Sequence, residues 1–170
     1  HRALQLIESG KAPDSWSPFK NKEDVLASLN YAIGFYLHKS NPDAAIASLI
    51  RAAQIDSDRK TSPSTYYYLA LAYQSGPYKK LSADYSTRFA NKAETPESKT
   101  ALENVYKVVD KIIDAYARAV ALAGNDAQNQ KAKAAWMQLL TDFYKFRHET
   151  SDAGLNEFIA GVLAKPLPPP

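Results

Sequence analysis

Three short strings, SNPD at 40–43, TSPS at 61–64 and ETPES at 94–98, share one pattern: a Ser, Thr or Asn followed directly by proline. Each reads as a helix start. The side-chain oxygen accepts an orphan backbone N–H, and proline has no N–H to leave unsatisfied in the first turn. Asn41, Ser62 and Thr95 are the predicted N-caps, with Pro42, Pro63 and Pro96 behind them. Asn21 starts a further helix, with Asp24 placed as a capping-box acid. Gly124-Asn125 ends one helix and can begin another. This punctuation predicts helices over 2–9, 22–39, 42–56, 63–75, 78–92, 96–123, 127–148 and 152–164. Strand-like alternation of β-branched residues is almost absent, so the fold class is all-α.

The loop-like GKAPDSWSPFKN at 10–21 is expected to dock Trp16 and Phe19 on the body as an apolar plug. The closing KPLPPP is expected to be extended, serving as a linker or a loose end. Three parts follow: an N-terminal helix and docking loop over 1–22, a helical body over 23–165 and a proline-rich tail over 166–170. The chain begins at His1 rather than Met, which reads as a fragment or a processed product.

One apolar stripe recurs inside the helices. Tyr66, Leu69, Ala70 and Tyr73 fall at i, i+3, i+4 and i+7. The same spacing joins Leu29, Ala32, Ile33 and Tyr36, then Trp136, Leu139, Leu140 and Phe143, and more weakly Leu102, Val105, Tyr106 and Val109. The anchors Leu29, Tyr66, Leu102 and Trp136 stand roughly 34–37 residues apart. Following helices carry small and aromatic residues in step: Ala45, Leu49 and Ala52, then Ile112, Tyr116 and Ala119, then Gly154, Phe158 and Gly161 before Pro166. Small residues let helices approach, and the aromatic fills the gap between successive pairs.

This pattern resembles a degenerate tetratricopeptide repeat over about residues 24–166. The resemblance implies a right-handed α-α superhelix of about three to four helix hairpins. Helices 63–75 and 78–92 would form the second hairpin. Departures from the pattern are visible: LSADYSTRFANK places Ser86 at the aromatic position and Phe89 at the small one, or else Tyr85 out of step, and no turn separates Val109 from Ile112. In such a stack the first helices line a concave face. Asn30, His38, Tyr67, Gln74, Lys107, Tyr144 and Lys145 are the residues expected to point there. Tyr36, Tyr66, Tyr73, Tyr106 and Tyr116 are expected to be spacers between helices, whereas Tyr67, Tyr78, Tyr85 and Tyr144 remain for contact. The Lys and Asn clamp with which some family members hold a C-terminal carboxylate is absent, since Asn30, Gly34, Tyr68 and Gln138 occupy its places.

Chemistry is sought and not found. There is no cysteine, so disulfides, thiolate metal sites and Cys nucleophiles are excluded, and the compartment stays open. No zinc-type histidine pair, phosphate loop, dinucleotide fingerprint or nucleophile elbow occurs. No metal, cofactor or catalytic residue is expected. His38 and His148 fall near helix C-termini, where a ring satisfies orphan carbonyls. Asp110 and Asp114 are expected to form solvated ion pairs with Lys107, Lys111 and Arg118. Net charge is +3 with both signs interspersed, which argues against nucleic acid. No apolar run reaches the ~18 residues of a membrane helix.

The resemblance therefore implies a non-enzymatic scaffold that binds a protein or peptide partner in a concave groove. The alternatives are a carbohydrate-binding or accessory domain of a polymer-processing system, and a structural module that self-associates through an open array end.

Overall fold

The computed structural model describes residues 2–11, 13, 15–124 and 129–169, and is all-helical with no strand among them. The helices are α1 (Arg2–Glu8), α2 (Lys22–Leu37), α3 (Pro42–Gln54), α4 (Pro63–Tyr73), α5 (Lys79–Phe89), α6 (Pro96–Ala123), α7 (Gln130–Arg147) and α8 (Leu155–Gly161). A 3-10 turn, Val162–Ala164, follows α8. The expected start of α7 at 127, and Asn125 as a cap, lie outside the described residues.

The caps explain most boundaries. Asn21 Oδ1 accepts from Asp24 N at 2.8 Å, and Asn41 Oδ1 from Ala44 N at 3.3 Å. Thr95 and Ser98 cap each other reciprocally, at 3.1 and 2.9 Å. Two expectations are corrected. Ser62 makes no cap bond, because its hydroxyl pairs with Ser64 Oγ at 2.9 Å. Asp24 accepts from Lys20 N at 3.3 Å, one residue upstream of the capping-box donor.

The larger correction concerns residues 63–92. No turn separates the two expected helices there. Gln74–Tyr78 is a π-helical turn that joins α4 to α5 in one helical run. Gly76-Pro77 looks like a turn signal, but proline inside a helix needs only relief from the carbonyl four residues back. The wider π turn supplies that relief. Gly76 is also where this run meets α3, since a Cβ there would lie 2.6 Å from Pro42 Cβ. α4 consequently pairs not with α5 but with the C-terminal part of α6, which also packs against α7. α5, which has no buried residue, lies along the start of α6.

The first pair, α2 and α3, is joined through small residues. Ala27 and Gly34 are buried, and a Cβ on Gly34 would sit 2.3 Å from Leu49 Cγ. This turns the expected stripe of α2 outward. Tyr36 is 77% exposed, not a spacer, and Leu29, Ala32, Ile33 and Leu37 line an apolar hollow of about 340 Å³ with Leu4 of α1. The other anchors behave differently: Tyr66, Tyr73 and Tyr116 are buried, and Tyr106 is half-buried. Leu49, Leu69, Ile112, Tyr116, Leu140 and Val162 belong to one continuous core running from α3 to the 3-10 turn. Trp16 is half-buried but Phe19 is exposed, so the expected plug forms only in part.

Asp114 and Arg118 overturn the solvated reading of their helix face. Both are buried, and the Arg118 Nε donates to Asp114 Oδ1 at 2.6 Å. Asp110 reaches a different helix, accepting from Arg147 Nε at 2.9 Å. The tail is not loose either. Lys165 and Pro166 offer their carbonyls to Arg118, and Leu167 packs against the core.

Candidate functional site

A ribbon of aromatic rings crosses α2, α4 and α7. Tyr31 and Phe35 lie one turn apart on α2, with ring centroids 6.3 Å apart. Both approach Tyr68 of α4 edge-on, at 6.1 and 4.8 Å. Tyr68 meets its neighbour Tyr67 at 5.2 Å, and Tyr67 stacks on Trp136 of α7 at 5.2 Å and 28°. Edge-to-face and offset stacking are the favoured geometries of such rings, and each adds to the energy of area burial. Consecutive tyrosines on a helix diverge by about 100°. This is why Tyr67 and Tyr68 reach different neighbours, one toward α7 and one toward α2.

The ribbon is anchored from below. The Gln74 side-chain amide donates to the hydroxyl of the fully buried Tyr116, whose ring lies 6.3 Å from Tyr67 and 6.5 Å from Phe143. Burial pushes the Tyr116 phenol far up. At the α2 end the His38 ring sits 5.3 Å from Tyr68, with Nδ1–H donating to Phe35 O at 2.6 Å. Ser75 Oγ donates to His38 O, tying the π turn to the end of α2. The Arg59 guanidinium lies 4.2 Å above the Tyr31 ring, a cation–π contact at the ribbon's edge.

Tyr31, Tyr67 and Tyr68 are half-buried, and their hydroxyls have no hydrogen-bond partner among the described residues. Burial raises the Tyr68 phenol above its ordinary value, so it stays a neutral donor across the physiological range. Two buried tyrosines spend their hydroxyls on the protein's own backbone: Tyr66 donates to Lys60 O at 2.8 Å and Tyr144 to Ala153 O at 3.1 Å.

Of the residues expected on a shared face, His38, Tyr67 and Gln74 meet at this ribbon. The others do not. Asn30 is buried, its amide donating to Leu26 O at 2.8 Å, because it falls on the small-residue face of α2. Tyr144 is buried against His148 and Phe158, at 4.2 and 6.3 Å. Lys145 pairs with Asp152 at 3.1 Å, and exposed Lys107 reaches only Asn104, at 3.4 Å. Sequence reasoning missed Tyr31, Phe35 and Arg59, and named Tyr68 only as occupying a place of the absent clamp. The i, i+4 pair Tyr31 and Phe35 was the available signal, hidden by the attention that Leu29 and Tyr36 drew.

The ribbon offers ring faces, phenol donors and one cation. It holds no nucleophile beside a base, and no cluster of metal-ligating side chains occurs among the described residues. No described helix is long and apolar enough to cross a membrane. No protein-family model, curated protein or solved structure matches the chain.

Proposed function

We propose that this chain is a non-enzymatic interaction scaffold, a tetratricopeptide-like stack that takes a peptide segment of a protein partner across the ribbon of α2, α4 and α7. One observation carries the reading: three adjacent half-buried tyrosines keep their hydroxyls unpaired within the protein. These hydroxyls are not buried, so they stand at the solvent rim of the ribbon ready for a partner, whereas Tyr66 and Tyr144 donate theirs to the protein's own backbone. Rings held rigid by neighbours, with free donors at their rims, lose little entropy when a partner docks.

The repeat reading takes an altered phase. α2 with α3 and α4 with α6 act as successive hairpins, α7 begins the next, and α5 with the start of α6 is an insertion. In that arrangement α2, α4 and α7 are the first helices of their units and share one face. The carbohydrate alternative has less support, because Trp136 is only 9% exposed and its face is covered by Tyr67.

The test is a displayed peptide library panned on the wild-type protein. Selected peptides are then measured by fluorescence anisotropy on Tyr67→Ala and Tyr68→Ala. Loss of one aromatic anchor is expected to weaken binding about tenfold or more while the urea midpoint stays within the folded range. Equal binding by the variants would place the partner elsewhere and sink the reading. Selection of no peptide, together with retention on a glycan array, would favour the polymer-processing alternative.

A further inference from the structure

Arg118 is 4% exposed, yet it has no second carboxylate beside Asp114. Its Nη2, 3.3 Å from Asp114 Oδ2, also turns to backbone. Nη2 donates to Lys165 O at 3.0 Å and to Pro166 O at 2.9 Å. A buried guanidinium nitrogen that reaches two successive carbonyls can read a peptide, because those carbonyls are what an extended chain offers when it has no ladder or helix of its own. Pro166 cannot donate a hydrogen bond, so this stretch presents mainly acceptors. The segment is otherwise lightly held. Leu167 and Pro168 are half-buried, and the only backbone bond near its start is Lys165 N to Val162 O at 3.2 Å. Beside it lies a cavity of about 470 Å³, walled by the tail on one side and by Gln54, Lys60, Tyr66 and Leu122 of the body on the other.

We propose that this cleft between α3, α4 and α6 is a second docking site, for an extended proline-containing peptide of the form Lys-Pro-Leu-Pro, and that residues 165–169 are its built-in occupant. Arg118 reads the two carbonyls, Asp114 holds the guanidinium in place, and the leucine side chain fills the apolar part. The occupant's chemistry is taken from the segment seated there. The cleft is independent of the aromatic ribbon, so the two can fail separately. When the tail leaves, water reaches Arg118 and Asp114 together, so the pair is rehydrated rather than stranded. Exchange with a peptide in trans is therefore feasible without breaking the ion pair. The tethered tail competes at high effective concentration, and it masks the site in the resting protein.

The experiment uses a fluorescent peptide of residues 163–170, LAKPLPPP, and the full chain carrying Leu167→Asp, which removes the tail's apolar anchor and leaves the body's wall of the cleft unchanged. The peptide is expected to bind Leu167→Asp at least tenfold more tightly than wild type. Adding Arg118→Lys, which keeps the charge but removes the planar guanidinium that bonds Asp114 and the two carbonyls together, is expected to cost at least tenfold of that binding. Equal binding to Leu167→Asp and wild type, or no effect of Arg118→Lys, would overturn the proposal. A second readout needs no destabilising change. The chain has no cysteine, so Pro168→Cys, at a half-buried position of the tail, takes a single spin label. The label is expected to be immobile alone and to become mobile under saturating unlabelled peptide. A label that tumbles freely from the start, or one that saturating peptide leaves unmoved, would overturn the proposal too.

Discussion

Tyrosine carries much of this protein, and single side chains show two ways of using it. Tyr66, Tyr73 and Tyr116 are core; Tyr31, Tyr67 and Tyr68 are rim. Burial, and secondarily the Asp114 carboxylate, push the Tyr73 phenol up to about 12. An unfolded tyrosine ionises near 10, so between those values the native state holds a proton that the unfolded state has released. Stability must then fall as pH rises through that window, by about 1.4 kcal/mol per pH unit for each such tyrosine. Urea midpoints measured from pH 9 to 12 are expected to drop steeply, and Tyr73→Phe is expected to flatten part of the slope. An unchanged slope would mean that Tyr73 is wet. Which tyrosines were core could be read in part from spacing, since i, i+3, i+4, i+7 placed Tyr66 and Tyr73 inside. Tyr36 obeys the same spacing and is outside. Periodicity gives a face, and only a partner helix decides whether that face is covered.

At the scale of helices, the starts were legible and the pairings were not. Proline behind a polar residue marks α3, α4 and α6 because capping is local chemistry. Gly76-Pro77 breaks an ordinary helix, which is why the sequence predicts separate helices over 63–75 and 78–92; a π turn is the option that local rules leave out. That single difference moves the partner of α4 from α5 to α6. Gly34 shows how tightly pairing can depend on one residue. With a Cβ 2.3 Å from Leu49 Cγ, Gly34→Ala forces the buried leucine or the α2 backbone to move. The expected cost is about 1–3 kcal/mol in urea unfolding, despite alanine's better helix propensity. Leu49→Ala in the same chain is expected to recover part of it, so a double-mutant cycle gives a coupling above about 0.5 kcal/mol. Additive losses would show that the two helices do not meet there.

Across the whole molecule, one core joins α3 through the 3-10 turn, whereas α1 contributes the single buried Ile7 and an ion pair from Glu8 to Arg51 at 2.5 Å. Opening free energies follow such differences in burial. Native-state hydrogen exchange is expected to show α1 exchanging first and the C-terminal half of α6 last, near the global limit. Comparable protection in α1 and α6 would contradict this layering. The same distribution leaves α5 and the first turns of α6 braced mainly on each other, with Ser98 the lone buried residue between 79 and 104. α6 runs 28 residues, about 42 Å, so the α5–α6 connection at 90–95, just before its N-terminus, stands well away from both the rings and the tail cleft. That tip is a natural handle: a dye, a surface tether or an inserted tag placed there should report on either docking event without taking part in it.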